Sequence, residues 1–414
     1  MDEPSWALLA LALAVVLALT AVVLWLSVTE ASAVEGGFDG HTGQTGEGAR
    51  SGHGREARGS RRRRPPRSAF AAEDRDATGV RRAAIVVNPT KFTDVAAVRE
   101  QVTQACREHG WAEPRWLETT VDDPGLGQAR QAVEEGVELV CALGGDGTVR
   151  TVGSALAGTG VPMGLLPAGT GNLLARNLGL PHDDLQRALD TALTGRNARI
   201  DSCRMTLTRP TTQELLERVA DEDDPSENVD LSDATDYPSP GARPPTEEHT
   251  FLVMAGLGFD AEVMAGAPEQ LKRRVGWAAY LVSGARHMRG PQFIVDVTMD
   301  DGTRLRRRVR SVVVGNVGRL QGGMVLLPDA RSDDGVMDAV LLSPQGVVGW
   351  GAVVARLATR RRRGHQRVDF YRCQEISVSS TKPVELQLDG DTLGEVSAMT
   401  VTVAPGSLVV RLPA

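Results

Sequence analysis

The sequence predicts a parallel α/β domain followed by a β-sandwich, the two preceded by one transmembrane helix. Three observations carry that expectation. Strand-like and helix-like stretches alternate from Arg82 to about residue 200, the pattern of a parallel sheet with crossover helices. Short β-like runs separated by Gly and Pro then continue to the C-terminus, which is sandwich patterning. Residues 6–28 carry no charge. As a helix they would span roughly 34 Å, enough for a ~30 Å hydrocarbon core. The expected division is a membrane anchor over 1–30, a Gly/Arg-rich linker over 31–81, the α/β domain over 82–200 and the β domain over 201–414. An acidic disordered loop is expected over 213–248.

Within Trp6–Val28 the only polar side chains are Thr20 and Ser27. Ala31-Ser32-Ala33 resembles a signal-peptidase site, but Asp2 and Glu3, not a basic region, precede the apolar run. Arginines follow the helix, at Arg50, Arg61–Arg64 and Arg67. The positive-inside rule then puts the N-terminus outside and the bulk of the chain in the cytoplasm, as a single-pass protein of the cell membrane. The linker has a reach of roughly 40 Å. Its arginines suit either anionic headgroups or solvent.

In the α/β part, Ala83–Val87 reads as a strand ending at Asn88-Pro89. Asp94–His109 has helical spacing, with Val95, Val98, Val102 and Cys106 on one face. Arg115–Glu118 is a second strand, Gly127–Glu135 a second helix and Val137–Leu143 a third strand. Helix character resumes at Thr148–Leu156, a strand at Met163–Leu166, and helices at Leu173–Leu178 and Asp183–Leu193. The β part reads as runs at 203–207, 250–255, 292–298, 304–314, 335–342, 368–370, 375–379, 384–388, 399–403 and 408–412. Helical insertions are expected around 272–289 and 345–361, the latter closing on Arg360–Arg363.

Of the 414 residues, 41% are apolar but only 4% aromatic, so the core must rest on Val, Leu and Ala. The net charge of -7 hides segregation: 11 Arg against 4 acids over 50–82, and 10 acids against 1 Arg over 221–248. The cysteines, Cys106, Cys141, Cys203 and Cys373, are too far apart for a zinc or disulfide framework and suit a reducing compartment. The Arg runs lack interleaved aromatics, which argues against nucleic-acid binding.

Ligands of parallel sheets bind at the carboxyl ends of the strands. Three polar loops fall there: Asn88–Phe92, Gly144–Thr148 and Pro167–Asn172. Gly144-Gly145-Asp146-Gly147-Thr148 lets backbone amides approach a bulky anion, and its one carboxylate can hold a divalent cation bridging phosphates. A plain turn is the simpler alternative.

Taken in order, Asn88-Pro89-Thr90-Lys91, Gly144–Thr148 and Pro167-Ala168-Gly169-Thr170-Gly171-Asn172 resemble the catalytic domain of the diacylglycerol kinase, sphingosine kinase and bacterial lipid kinase family. The resemblance continues through Gly256–Glu262, Lys272–Tyr280, Gly322-Gly323-Met324, Pro328–Gly335 and Asp389-Gly390-Asp391, covering 82–414. It implies an ATP-binding α/β domain, a β-sandwich lipid-binding domain, and Mg²⁺-dependent transfer of the γ-phosphoryl of ATP to a lipid hydroxyl. Diacylglycerol heads the acceptors, before a sphingoid base or phosphatidylglycerol. The implied partner is a lipid at a membrane surface, and a homodimer is compatible with it.

The same resemblance implies roles. Gly144, Gly145, Gly147 and Thr148 cradle the phosphates, and Asp146 holds catalytic Mg²⁺. Asn88, Pro89, Thr90, Lys91, Thr119, Thr170 and Asn172 contact nucleotide. Asp391 is the general base, where Asp-Gly-Glu is the commoner form; Asp389 and Glu395 are its rivals. Asp334, with the carbonyls of Arg331 and Val336, holds a second, structural Mg²⁺. Arg150-Thr151 stands where many relatives have Asn-Glu. A catalytically silent binding protein of the same fold and an NAD kinase are the competing expectations.

Overall fold

Five consecutive apolar residues, Ala83–Val87, form strand β1 and have no exposed surface. At about 1.5–3 kcal/mol for each fully buried Val or Ile, such a strand is held by burial on both faces. The computed structural model of the protein describes residues 79–211, 214, 245–258, 292–320, 325–343 and 368–414. After β1 come α1 (Val95–Glu108), β2 (Arg115–Glu118), α2 (Leu126–Glu134), β3 (Leu139–Gly144), α3 (Asp146–Leu156), β4 (Met163–Pro167), α4 (Leu173–Asn177) and α5 (Leu185–Thr194). The strands run parallel in the order β2-β1-β3-β4.

Side-chain alternation sorts the two faces. Ala84, Val86, Val140 and Ala142 meet Ala129 and Ala132 of α2 and Val149, Val152 and Leu156 of α3. Ala83, Ile85, Leu139 and Cys141 meet Val102, Ala105 and Cys106 of α1 and Ala188, Leu189 and Ala192 of α5. Helices α1 and α5 begin at side-chain caps: Asp94 accepts from the Ala97 amide at 2.9 Å, and Asp184 from the Arg187 amide at 3.1 Å.

The remaining strands are β5 (Arg196–Thr208), β6 (Thr246–Phe251), β7 (Met254–Leu257), β8 (Phe293–Met299), β9 (Arg304–Val309), β10 (Ser311–Gly315), β11 (Met337–Leu342), β12 (Val368–Cys373), β13 (Glu375–Leu388) and β14 (Asp391–Leu412). They close round a second core that includes Phe251, Leu257, Phe293, Val314, Leu341, Leu386 and Val401. β13 pairs with β8 through Ile376–Ser380 and with β7 through Leu386–Leu388, changing partners along its length as corner strands do. β14 pairs with β13 and β5, then lies parallel to β4 at Val410 and Met163, so that the parallel and antiparallel strands form one continuous sheet.

Several expectations are corrected. The single-pass, cell-membrane localisation with a cytoplasmic bulk does not stand: among the described residues no helix is long and apolar enough to cross a membrane. The longest described helix, α1, has 14 residues, about 21 Å. The apolar run 6–28, the linker, the Lys272–Tyr280 and Gly322–Met324 motifs, most of Gly256–Glu262 and both helical insertions lie outside the described residues. Thr246–Glu248, expected at the end of the acidic loop, belong to β6. The runs at 375–379 and 384–388 are one strand, as are those at 399–403 and 408–412. Register shifts between Ser379 and Val384 and between Ala404 and Leu408 take the place of turns. Conversely, 250–255 and 304–314 each divide into two strands.

Candidate functional site

The sheet reverses its winding between β1 and β3, because β1 is flanked by β2 and β3, and β3 by β1 and β4. That opens a crevice at their carboxyl ends. The Asn88 amide donates to the Leu143 carbonyl at 3.0 Å and the Thr119 amide to the Val87 carbonyl at 2.9 Å, so the loops after β1, β2 and β3 begin side by side.

The first loop is a short 3₁₀ turn, Pro89–Lys91. Asn88 Oδ1 caps it, accepting from the Thr90 amide at 3.1 Å and the Thr90 hydroxyl at 2.7 Å. Exposed Lys91 reaches over the glycine loop: its Cε lies 3.7 Å from where a Cβ on Gly145 would stand. The second loop needs its glycines for close approach. A Cβ on Gly144 would lie 2.5 Å from Thr148 Oγ1, and one on Gly169 would lie 2.8 Å from Gly145 Cα. The loops after β3 and β4 therefore meet backbone to backbone. The amides of Asp146, Gly147 and Thr148 fall in the first turn of α3, where no intrahelical acceptor exists and the dipole favours an anion.

Asp146 braces this arrangement. Its Oδ2 accepts from the Asn172 amide at 2.9 Å and its Oδ1 from the Leu173 amide at 2.6 Å. Burial pushes its carboxyl up, the Leu173 and Asn172 amides pull it back, and the charge of Asp391 adds to the upward push. Asn172 sits in the left-handed region at φ 48°. Its side chain is turned to the loop itself: Oδ1 accepts from the Gly169 amide, and Nδ2 donates to the carbonyls of Gly169 and His182. Thr170 is exposed beside it and Thr119 is buried.

Asp389-Gly390-Asp391 forms the turn between β13 and β14, with φ 50° at Asp389 and 98° at Gly390, a primed hairpin geometry. The two carboxylates differ sharply. Asp389 is 3% exposed and accepts from the amides of Leu252 at 3.0 Å, Val253 at 3.0 Å and Met254 at 2.9 Å. Burial pushes its carboxyl up to about 6 despite those donors and the nearby charge of Arg150. Asp391 has 52% of its side chain exposed and faces α3. Its Oδ2 accepts from Arg150 Nη2 at 2.6 Å and lies 3.1 Å from the Cβ position of Gly147. The structure thus brings Gly144–Thr148, Lys91, Asp146 and Asp391 to one crevice.

Asp334 lies in a separate turn. Its Oδ2 pairs with Arg372 Nη2, and its Oδ1 accepts from the Val336 amide at 3.4 Å. Arg372 Nε also stands 3.7 Å from Asp338, and Arg331 Nε stands 3.5 Å from Asp333. Among the described residues no group of three or more His, Cys, Asp or Glu is placed to hold a metal ion.

The roles of two contributors escaped sequence reasoning, which marked Arg150 only as a departure from the Asn-Glu of many relatives and did not mark Asp201. Arg150 stands four residues after Asp146, one helical turn along the same face, and that spacing was the available signal. Asp201, 1% exposed, ties three segments together: its carboxylate accepts from the amides of Gly335 at 2.8 Å and Gly406 at 2.6 Å, and its carbonyl accepts from Asn316 Nδ2 at 2.9 Å. No local pattern marks it.

Two family profiles match the chain: the diacylglycerol kinase catalytic domain over residues 82–205, and the YegS C-terminal NAD kinase beta sandwich-like domain over residues 253–412. A Pseudomonas aeruginosa PAO1 protein named "Probable lipid kinase YegS-like" is 31% identical over 303 residues, covering 70% of this chain and 82% of its own. A diacylglycerol kinase of Bacillus subtilis is 24% identical over 319 residues, covering 75% and 90%. The crystal structure of a diacylglycerol kinase from Bacillus anthracis shares the fold, with a TM-score of 0.55 at 16% identity over 80% of this chain and 96% of that one.

Proposed function

The chain belongs to the diacylglycerol kinase and YegS-like lipid kinase family, and we propose on that footing that it moves the γ-phosphoryl of ATP to a lipid hydroxyl with Mg²⁺, diacylglycerol being the first acceptor to test. The observation that carries this reading is the meeting of Asp391 with the helix that starts at Asp146, where Asp391 Oδ2 lies 3.1 Å from the Gly147 Cβ position.

Phosphoryl transfer asks for positioning and charge neutralisation more than for covalent chemistry. The amides of Gly144–Thr148 and the dipole of α3 would cradle the phosphates, with Lys91 as a point charge above them. Asn88, Pro89, Thr90, Thr119, Thr170 and Asn172 shape the nucleotide side, Asn88 and Asn172 by bracing their own loops. The residues present fit a divalent cation. Each Asp146 oxygen accepts one amide and keeps a lone pair, and the exposed carboxylate of Asp391 lies close enough for its charge to act on Asp146. When bound there, Mg²⁺ neutralises phosphate charge. Asp391 accepts the proton of the attacking lipid hydroxyl, held against α3 by Arg150. Asp389 does not share that role in this proposal, because its oxygens are committed to three amides. A second Mg²⁺ at Asp334, with the carbonyls of Arg331 and Val336, would have to displace Arg372.

The test is transfer of labelled γ-phosphate from Mg-ATP by the full chain to mixed micelles of diacylglycerol, a sphingoid base or phosphatidylglycerol, with NAD as acceptor in a parallel arm. Label in one lipid is the expected result. Intact ATP binding with no label in any lipid would overturn it and leave a silent binding protein. Label entering NAD instead would assign an NAD kinase.

A further inference from the structure

Helices α2 and α3 overhang one face of strands β14, β5 and β6, and the space between is a cleft of about 560 Å³. A sheet face beneath helices is normally apolar. This one is not. The register sets Arg204 across from Thr402 and Thr250, and Thr206 across from Thr400 and Glu248, in two successive rows that all line the cleft. From above, Arg130 of α2 and Arg150 of α3 line it as well.

The charges there are unbalanced. Among the described residues neither Arg130 nor Arg204 makes an ion pair. Arg150 has 14% of its side chain exposed and gives one nitrogen to Asp391, while its buried Nε has no hydrogen-bond partner. A buried donor without an acceptor is rare and costly, and a guanidinium fork suits a tetrahedral oxyanion. On the other side of the balance, Glu248 is the one carboxylate of the lining. His249 also lines the cleft, but its ring bonds Glu247, whose charge Arg209 already meets through Nε and Nη2 at 2.7 and 3.0 Å.

We propose that the cleft between α2–α3 and strands β14-β5-β6 is a binding site for a phosphate group, held by Arg130, Arg150 and Arg204 with the threonine hydroxyls of the strand face. The group is either free phosphate or the phosphate of a lipid headgroup. Its binding is independent of the kinase reading. What does rest on that reading is the link it creates: Arg150 serves both the cleft and the base candidate Asp391, so the cleft's occupant draws on the guanidinium that holds the base.

The experiment titrates the full chain with inorganic phosphate by calorimetry, without ATP, Mg²⁺ or acceptor lipid. A parallel arm sediments the chain with phosphatidylcholine vesicles that do or do not carry phosphatidic acid. Wild type, Arg130→Met, Arg204→Met, Arg204→Lys and Arg306→Met are compared, each checked for native circular dichroism. The expected result is saturable binding, weakened about tenfold or more by either Met variant of the cleft, about 1.4 kcal/mol. Arg204→Lys retains most of it, and Arg306→Met, an exposed arginine of β9 outside the cleft, leaves it unaltered. Calorimetric binding assigns free phosphate; binding to phosphatidic acid vesicles alone assigns the headgroup. A natively folded wild type that binds neither probe, or binding that Arg130→Met and Arg204→Met leave unchanged, overturns the proposal.

Discussion

Replacing Asp389 by Asn separates its two properties, three accepted amide bonds and one buried charge. The carboxyl is raised from the ordinary 3.8 to about 6, with burial as the main cause. The folded state therefore holds a proton that the unfolded chain releases earlier. The stabilisation is complete below pH 4, is lost as the pH rises towards 6, and stays lost above it. At about 1.4 kcal/mol per pH unit, a window of about two units is worth about 3 kcal/mol. Asn cannot ionise, so it lacks that slope. It also turns an NH₂ towards one of the donors at Leu252, Val253 or Met254, which costs about 1–3 kcal/mol at every pH. Urea unfolding of both proteins from pH 4.5 to 7.5 reads the difference. Asp389→Asn starts less stable than wild type, and the gap narrows by about 2–3 kcal/mol as pH rises. A gap that does not change with pH would refute the assignment of a buried, charge-bearing Asp389.

Gly169→Ala places a Cβ 2.8 Å from Gly145 Cα, so the two loops must part, and ATP affinity measured by calorimetry falls by roughly five- to hundredfold, about 1–3 kcal/mol; unchanged affinity would mean the loops do not jointly hold nucleotide. All four cysteines are buried and free. Burial pushes Cys106 up to about 11, Cys373 to about 12, and Cys141 and Cys203 higher still, so a thiol reagent at pH 8 modifies none until the chain is unfolded. Arg372→Met removes the cation paired with Asp334, so the variant loses melting temperature and regains part of it with Mg²⁺, a gain the wild type lacks; identical Mg²⁺ responses would show that Arg372 does not compete for that site.

What the sequence discloses about this fold tracks how local the cause is. Ala83–Val87 and the β3 run are apolar on both faces, and the loops after β1, β3 and β4 are punctuated by Gly, Pro and Asn, so strands and crevice are legible without tertiary information. Strands β13 and β14 were harder. Lys382-Pro383 and Pro405-Gly406 read as turns, yet their neighbours keep pairing across register shifts, because the partner strands supply the bonds. The site divides in the same way. In the sequence only the resemblance sets Asp391 ahead of Asp389 round one glycine; the amides of Leu252–Met254, more than 130 residues away, hold Asp389 in the interior while Asp391 stays exposed. Arg150 meets Asp391 across 241 residues and Asp201 meets Gly406 across 205, contacts that no periodicity announces.

Asp391 stands in the proposed function as the base of a lipid kinase. The most direct test is the steady-state kinetics of Asp391→Asn on the acceptor that the labelled-phosphate panel selects, with ATP affinity measured in parallel. The expected result is that kcat falls by about 10²–10⁴ while ATP binds as in wild type. A variant that keeps wild-type kcat would contradict it.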